Sequence, residues 1–117
     1  MLIRLDPGST EPLFAQLAAA IRGAVARGEI SAGERLPGGR DLADSLGVNV
    51  HTVLRGYQQL RDEGVVELRR GRGAVVTARG AGGLAALRQA VADVTEQARR
   101  LGLTVDELTD MIRMEYR

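Results

Sequence analysis

Glycine and proline punctuate residues 35 to 73 at intervals that leave room only for short elements joined by tight turns. Leu36-Pro37-Gly38-Gly39-Arg40 opens a short helix, about Gly39 to Ser45, with Leu42, Ala43 and Leu46 apolar. Gly47 closes it where a left-handed backbone is usually required. Asn49 is a good cap for a second helix, about Val50 to Glu63, which Gly64 ends. Two β-prone runs follow, Val65 to Leu68 and Ala74 to Thr77, joined by Arg69-Arg70-Gly71-Arg72-Gly73. Helix, turn, helix and Arg-tipped hairpin is the order in which a winged helix-turn-helix offers one helix to a major groove and one loop to the backbone beside it.

The second helix carries two faces. Val53, Tyr57 and Leu60 share one, and His51, Arg55, Gln58 and Asp62 lie opposite. A surface helix of any function has this division, so the pattern gains meaning only from the elements around it.

The flanks are helical. Residues 2 to 5 read as a short strand ending in the turn Asp6-Pro7-Gly8, and Thr10 is placed to cap a helix with Pro12 in its first turn. Leu13, Leu17, Ile21 and Val25 repeat along one side of that helix, which Gly28 ends. Glu29 to Pro37 reads as an extended connection, and Arg79 to Gly83 as a flexible joint. Beyond it Leu84, Leu87, Val91, Val94, Ala98 and Leu101 form a heptad-like seam. Gly102 ends that helix, and Thr104 with Glu107 has the spacing of a capping box for a last helix carrying Val105, Leu108, Met111 and Ile112. The fold expected is mainly α with a small β wing: a winged helix-turn-helix over residues 1–79, then a two-helix dimerisation tail over 80–117. Leu84, Leu87, Val91, Val94, Leu101, Leu108 and Ile112 are the expected dimer contacts.

Charge and composition exclude more than they assert. The net charge is +1, yet no acidic residue lies between Glu67 and Asp93, a span holding Arg69, Arg70, Arg72, Arg79 and Arg88. A local cluster sets the field at a phosphate more than the total does. Every basic residue is Arg, whose planar fork suits phosphate or guanine. There is no cysteine, hence no disulfide framework and no thiolate metal site. His51 is the single histidine, and no carboxylate or nucleophile is placed beside it for acid–base work. Gly71-Arg72-Gly73 lacks the Lys-Ser/Thr pair and following helix of a nucleotide loop. No catalytic residue, metal site or cofactor is expected. A membrane span and a signal peptide lack the necessary apolar runs, so a cytoplasmic, bacterial protein is expected.

Taken together, Pro12-Leu13-Phe14-Ala15-Gln16-Leu17, Gly33-Glu34-Arg35-Leu36-Pro37, Leu46-Gly47-Val48-Asn49, Tyr57-Gln58-Gln59-Leu60 and Arg69-Arg70-Gly71-Arg72-Gly73 resemble the GntR family of bacterial transcription regulators. The short two-helix tail resembles the YtrA-like subfamily. The resemblance implies a DNA contact from Arg40 at the start of the second helix of the domain. It places Asn49, His51 and Thr52 at the leading edge of the recognition helix, and it implies that Gly71 lets the wing enter the minor groove. Two positions depart from the pattern: Gly38 stands where the family usually has Ser, and Val50-His51 where the subfamily tends to have Pro-Asn. The operator of relatives therefore does not carry over.

The function expected is a transcriptional repressor that binds a palindromic operator in double-stranded DNA as a homodimer. Its DNA-binding residues would be Arg40, Asn49, His51, Thr52, Arg55, Arg70, Gly71 and Arg72. The alternative from another class is a winged-helix module that docks proteins. A small-molecule effector is left open, since no metal cluster and no Arg pair aimed at a core marks a place for one. An enzyme is not expected: relatives with a fused aminotransferase-like domain carry several hundred more residues.

Overall fold

A computed structural model describes residues 2–116. In chain order it contains α1 (Leu13–Ala26), α2 (Gly39–Leu46), α3 (Val50–Asp62), β1 (Val66–Arg69), β2 (Gly73–Val76), α4 (Ala78–Arg100) and α5 (Val105–Glu115). The fold is mainly helical with one antiparallel hairpin, in which Val66 faces Val76 and Arg69 faces Gly73. Contacts divide the chain into two units, Met1–Ala85 and Ala86–Arg117.

In the first unit, the repeat along α1 buries Leu17, Ile21 and Val25 against Val53, Tyr57 and Leu60 of α3. Leu42 and Ala43 of α2 and Val65, Val66, Ala74 and Val76 around the hairpin close the core. With three aromatics in the chain, its volume is filled by aliphatic side chains, and close helix approach compensates for their size. Gly56 is where α3 meets α1: a Cβ there would lie 3.1 Å from Leu17 Cδ2 and 3.2 Å from the Phe14 carbonyl oxygen.

The turn between α2 and α3 follows its sequence signals. Gly47 has φ 69°, and its N–H and that of Val48 return to carbonyls of α2. The Asn49 side chain accepts from the His51 N–H at 2.8 Å and starts α3. The stretch before α2 is more than a connector. Leu36 N–H donates to the Ala74 carbonyl, Val76 N–H to that of Glu34, and Gly33 N–H to that of Val76. This lays residues 33–36 along β2 as a short third edge, with Arg35 opposite Val75.

Three local expectations are corrected. Residues 2–5 form no strand; Ile3 and Leu5 instead pack half-buried against the core. Ile3 and Leu5, either side of the exposed Arg4, share one side of an extended segment, which packing satisfies without a ladder. Thr10 does not cap α1, because Pro12 occupies the N-cap position with no side-chain cap. Gln16 secures that end instead: its Oε1 accepts from Asp6 N–H, and its Nε2 donates to the carbonyls of Asp6 and Glu11. Finally, residues 79–83 are no loop but part of the first turns of α4. Thr77 Oγ1 accepts from Gly80 N–H at 2.9 Å, which starts the helix, and Ala81 and Leu84 pack against the first unit's core.

The second unit is a helical hairpin. Gly102, at φ 75°, ends α4. Thr104 and Glu107 form the full capping box at the start of α5. The backbone and hydroxyl of Thr104 hold the Glu107 carboxyl below its usual range.

Candidate nucleic-acid interface

Helix α3 is positioned from three sides. Its buried stripe of Val53, Tyr57 and Leu60 rests on α1 and the hairpin, and this leaves His51, Arg55, Gln58 and Asp62 exposed, as its periodicity predicts. The Tyr57 hydroxyl donates to the Pro37 carbonyl at 2.7 Å and ties the middle of α3 to the loop entering α2. Burial pushes the Tyr57 phenol up to about 12, so it stays a neutral donor throughout the ordinary pH range. A buried tyrosine needs a partner for its hydroxyl, and the Pro37 carbonyl, twenty residues back along the chain, is one that cannot be read from residue spacing.

Across the other flank, the Arg55 guanidinium lies 3.9 Å from the centroid of the Phe14 ring on α1. A stack of this kind at an exposed site contributes about 0.5–1 kcal/mol. It holds the charge beside the start of α1 instead of leaving it to sweep through solvent. Thr52 is half-buried, whereas Asn49 is exposed with its side-chain oxygen already engaged by the cap.

The wing turns through Gly71 at φ 80° and Gly73 at φ 73°, a backbone conformation that side chains with a Cβ rarely adopt. Arg69 is held by Glu67 at 3.0 Å, whereas Arg40, Arg70 and Arg72 take part in no ion pair among the described residues. The three elements border a common cleft of about 410 Å³, with Gly39 and Asp41 of α2, Leu54 and Gln58 of α3, and Gly71 and Arg72 of the wing in its walls. Sequence spacing names these elements but does not reveal the cleft, or that Leu54 is exposed in it.

The seam residues of the tail part company. Leu84 packs on the first unit's core, Ala98 is buried, and Leu108 is half-buried beside it in the elbow between α4 and α5. Leu87, Val91, Val94, Leu101 and Ile112 remain exposed. No group of His, Asp and Glu able to hold a metal ion occurs among the described residues. No helix there is long and apolar enough to cross a membrane.

Three core helices with the second and third joined by a tight turn, followed by a paired two-strand hairpin, define a winged helix-turn-helix domain. Residues 13–76 match the bacterial regulatory proteins of the gntR family. An HTH-type transcriptional regulator of Mycobacterium tuberculosis is 39% identical over 102 residues, 87% of this chain and 84% of that protein. The HTH-type transcriptional repressor YtrA of Bacillus subtilis is 33% identical over 76 residues, 65% of this chain and 58% of the repressor. Among solved structures, YtrA from Sulfolobus acidocaldarius, a GntR-family transcription factor, is 38% identical with a TM-score of 0.63 over 67% of this chain and 82% of that one. The chain belongs to the GntR family and is YtrA-like within it.

Proposed function

We propose that the protein is a cytoplasmic transcriptional repressor that binds a palindromic operator as a homodimer and has no catalytic activity. The observation that carries the reading is the common cleft: the start of α2, the outer side of α3 and the wing tip border one space, with an uncommitted Arg in its wall. A protein-docking surface has no need to bring a polar helix edge and an unpaired guanidinium together in this way, whereas a duplex offers base edges and phosphates side by side.

In this reading His51 faces the base edges of the major groove and Arg55, stacked on Phe14, a phosphate beside it, with Asn49 and Thr52 steadying the helix start against the backbone. Arg40 holds the backbone from α2. Arg70 and Arg72 neutralise phosphates flanking the groove that Gly71 allows the wing to approach. The tail supplies the two-fold through the apolar side chains that α4 and α5 leave exposed, so that two α3 helices address two half-sites. The start of the seam at Leu84 and the elbow residue Leu108 would contribute by holding the two helices in place.

The test is selection of bound sequences from a random duplex pool, followed by affinity measured across a salt series. The expected result is an inverted repeat bound with steep weakening as salt rises. Changing Arg70 and Arg72 together to Ala should weaken all duplexes alike and lower the salt slope by about one per lost phosphate contact. Enrichment of no sequence, with affinity indifferent to salt, would instead support a protein-docking module.

A further inference from the structure

We propose that Leu54 reads the 5-methyl group of a thymine at one fixed position in each half-site. The inference rests on the DNA reading above and names a base contact within it. Of the exposed side chains on α3, Leu54 is the single apolar one; the others are His51, Arg55, Gln58, Arg61 and Asp62. It is 42% exposed although it is large and aliphatic, and it is no part of the core cluster.

Its position is supported. A Cβ built on Gly39 would lie 2.9 Å from Leu54 Cδ2, so the side chain rests directly on the bare backbone at the first residue of α2. Leu54 also lines the cleft that it shares with Gly71 and Arg72 of the wing. Glycine at 39 thus gives the leucine a seat, and the seat keeps its methyls beside the edge of the recognition helix.

A leucine has no donor or acceptor, so it cannot distinguish the hydrogen-bonding patterns of base edges. In the major groove the one apolar feature is the thymine methyl. Covering that methyl removes apolar surface on both partners from water, while a cytosine in its place presents an N4 amino group that Leu54 would leave unpaired. Gln58, one turn further along α3 and in the same cleft wall, is placed for polar contacts to a neighbouring base pair.

The experiment uses the full chain and the duplex recovered from the random pool, with each thymine replaced in turn by uracil, which lacks only the methyl. The wild type should weaken by about fourfold at one thymine per half-site, the loss expected for one buried methyl-sized group. Leu54→Ala should lose that sensitivity and keep the wild-type response at every other thymine. Leu54→Met, which keeps an apolar end, should retain it, and Leu54→Gln, which keeps the bulk without it, should not. A wild type indifferent to every uracil overturns the assignment, as does a Leu54→Ala variant still sensitive at the same position. Should the pool yield no enriched duplex, the DNA reading itself falls, an outcome distinct from an enriched operator that ignores uracil.

Discussion

Tyr57 does two things with one side chain, since its ring fills the core between α3 and the hairpin while its hydroxyl fixes the loop ahead of α2. Its phenol titrates near 12 in the fold and near 10 in an unfolded chain. The folded state therefore holds the proton more tightly, and the stability this represents is complete below pH 10 and lost as pH rises from 10 toward 12. The loss should reach about 2 kcal/mol at the alkaline end. Tyr57→Phe should cost about 1 kcal/mol at neutral pH through the missing hydrogen bond and should flatten the alkaline loss. Denaturant unfolding of both proteins at pH 7 and pH 11 checks this; equal alkaline losses would remove Tyr57 as the cause. His51 and Arg55, neighbours on the exposed edge of α3, are distinguished differently. Arg55 is already stacked on Phe14, a placement suited to a phosphate more than to a probing base contact. Accordingly, His51→Ala should relax preference at one base pair per half-site by about 1–3 kcal/mol. Arg55→Ala should weaken every sequence alike. Binding to single-base variants of the selected operator measures both, and an unchanged ranking with His51→Ala would displace that residue as a reader.

Helix α4 shows how glycine can mean opposite things two residues apart. At Gly80 a Cβ would come within 2.7 Å of Val65 Cα and 3.0 Å of the Gly64 carbonyl oxygen, both backbone atoms that cannot step aside. At Gly82 nothing lies within 4 Å. Gly80→Ala should therefore push the start of α4 away from the Gly64–Val65 backbone and destabilise the first unit by about 1–3 kcal/mol, the range for overpacking. Gly82→Ala should instead stabilise by up to about 1 kcal/mol, through helix propensity alone. Thermal unfolding of the two variants decides it, and equal effects of the same sign would contradict this packing. Both glycines, in the sequence, look like one flexible stretch, Arg79 to Gly83, because composition reports backbone freedom and not what restrains it. The helix arises from the Thr77 cap and the packing of Ala81 and Leu84, which are tertiary facts. Where the governing interaction is local, reading succeeds: Gly47, the Asn49 cap, the Thr104–Glu107 box and the two faces of α3 all lie where their spacing puts them. The Gln16 bonds to residues 6 and 11, the third edge at 33–36 and the Leu54 seat join distant segments, and no local signal marks them.

At the scale of the molecule, the second unit poses a problem of burial. Helix α5 has no buried residue and α4 has Ala98 alone, yet Leu87 is 60% exposed, Val91 55%, Val94 41% and Leu101 75%. A two-helix hairpin with so little enclosed apolar surface is too small to hold itself together by its own core. The proposed second copy covers these side chains, and it would also set the spacing of the two α3 helices on the operator. Two linked half-site readers gain affinity as a pair, commonly by about 10²–10⁴ over one, because the second contact is made at high effective concentration. Changing Leu87 and Val94 together to Asp places two carboxylates in that interface, where an unpaired buried charge costs several kcal/mol. In a monomer the same carboxylates stand in water, so the first unit should fold unchanged. Sedimentation should then find the variant monomeric at micromolar concentration, with operator affinity reduced by about the factor that pairing supplies. Salt-sensitive binding to unselected duplexes should survive, since the wing and α3 of each copy are intact. A variant that remains dimeric would place the two-fold elsewhere on the chain. One that is monomeric but binds the operator as tightly as before would detach operator recognition from dimerisation altogether.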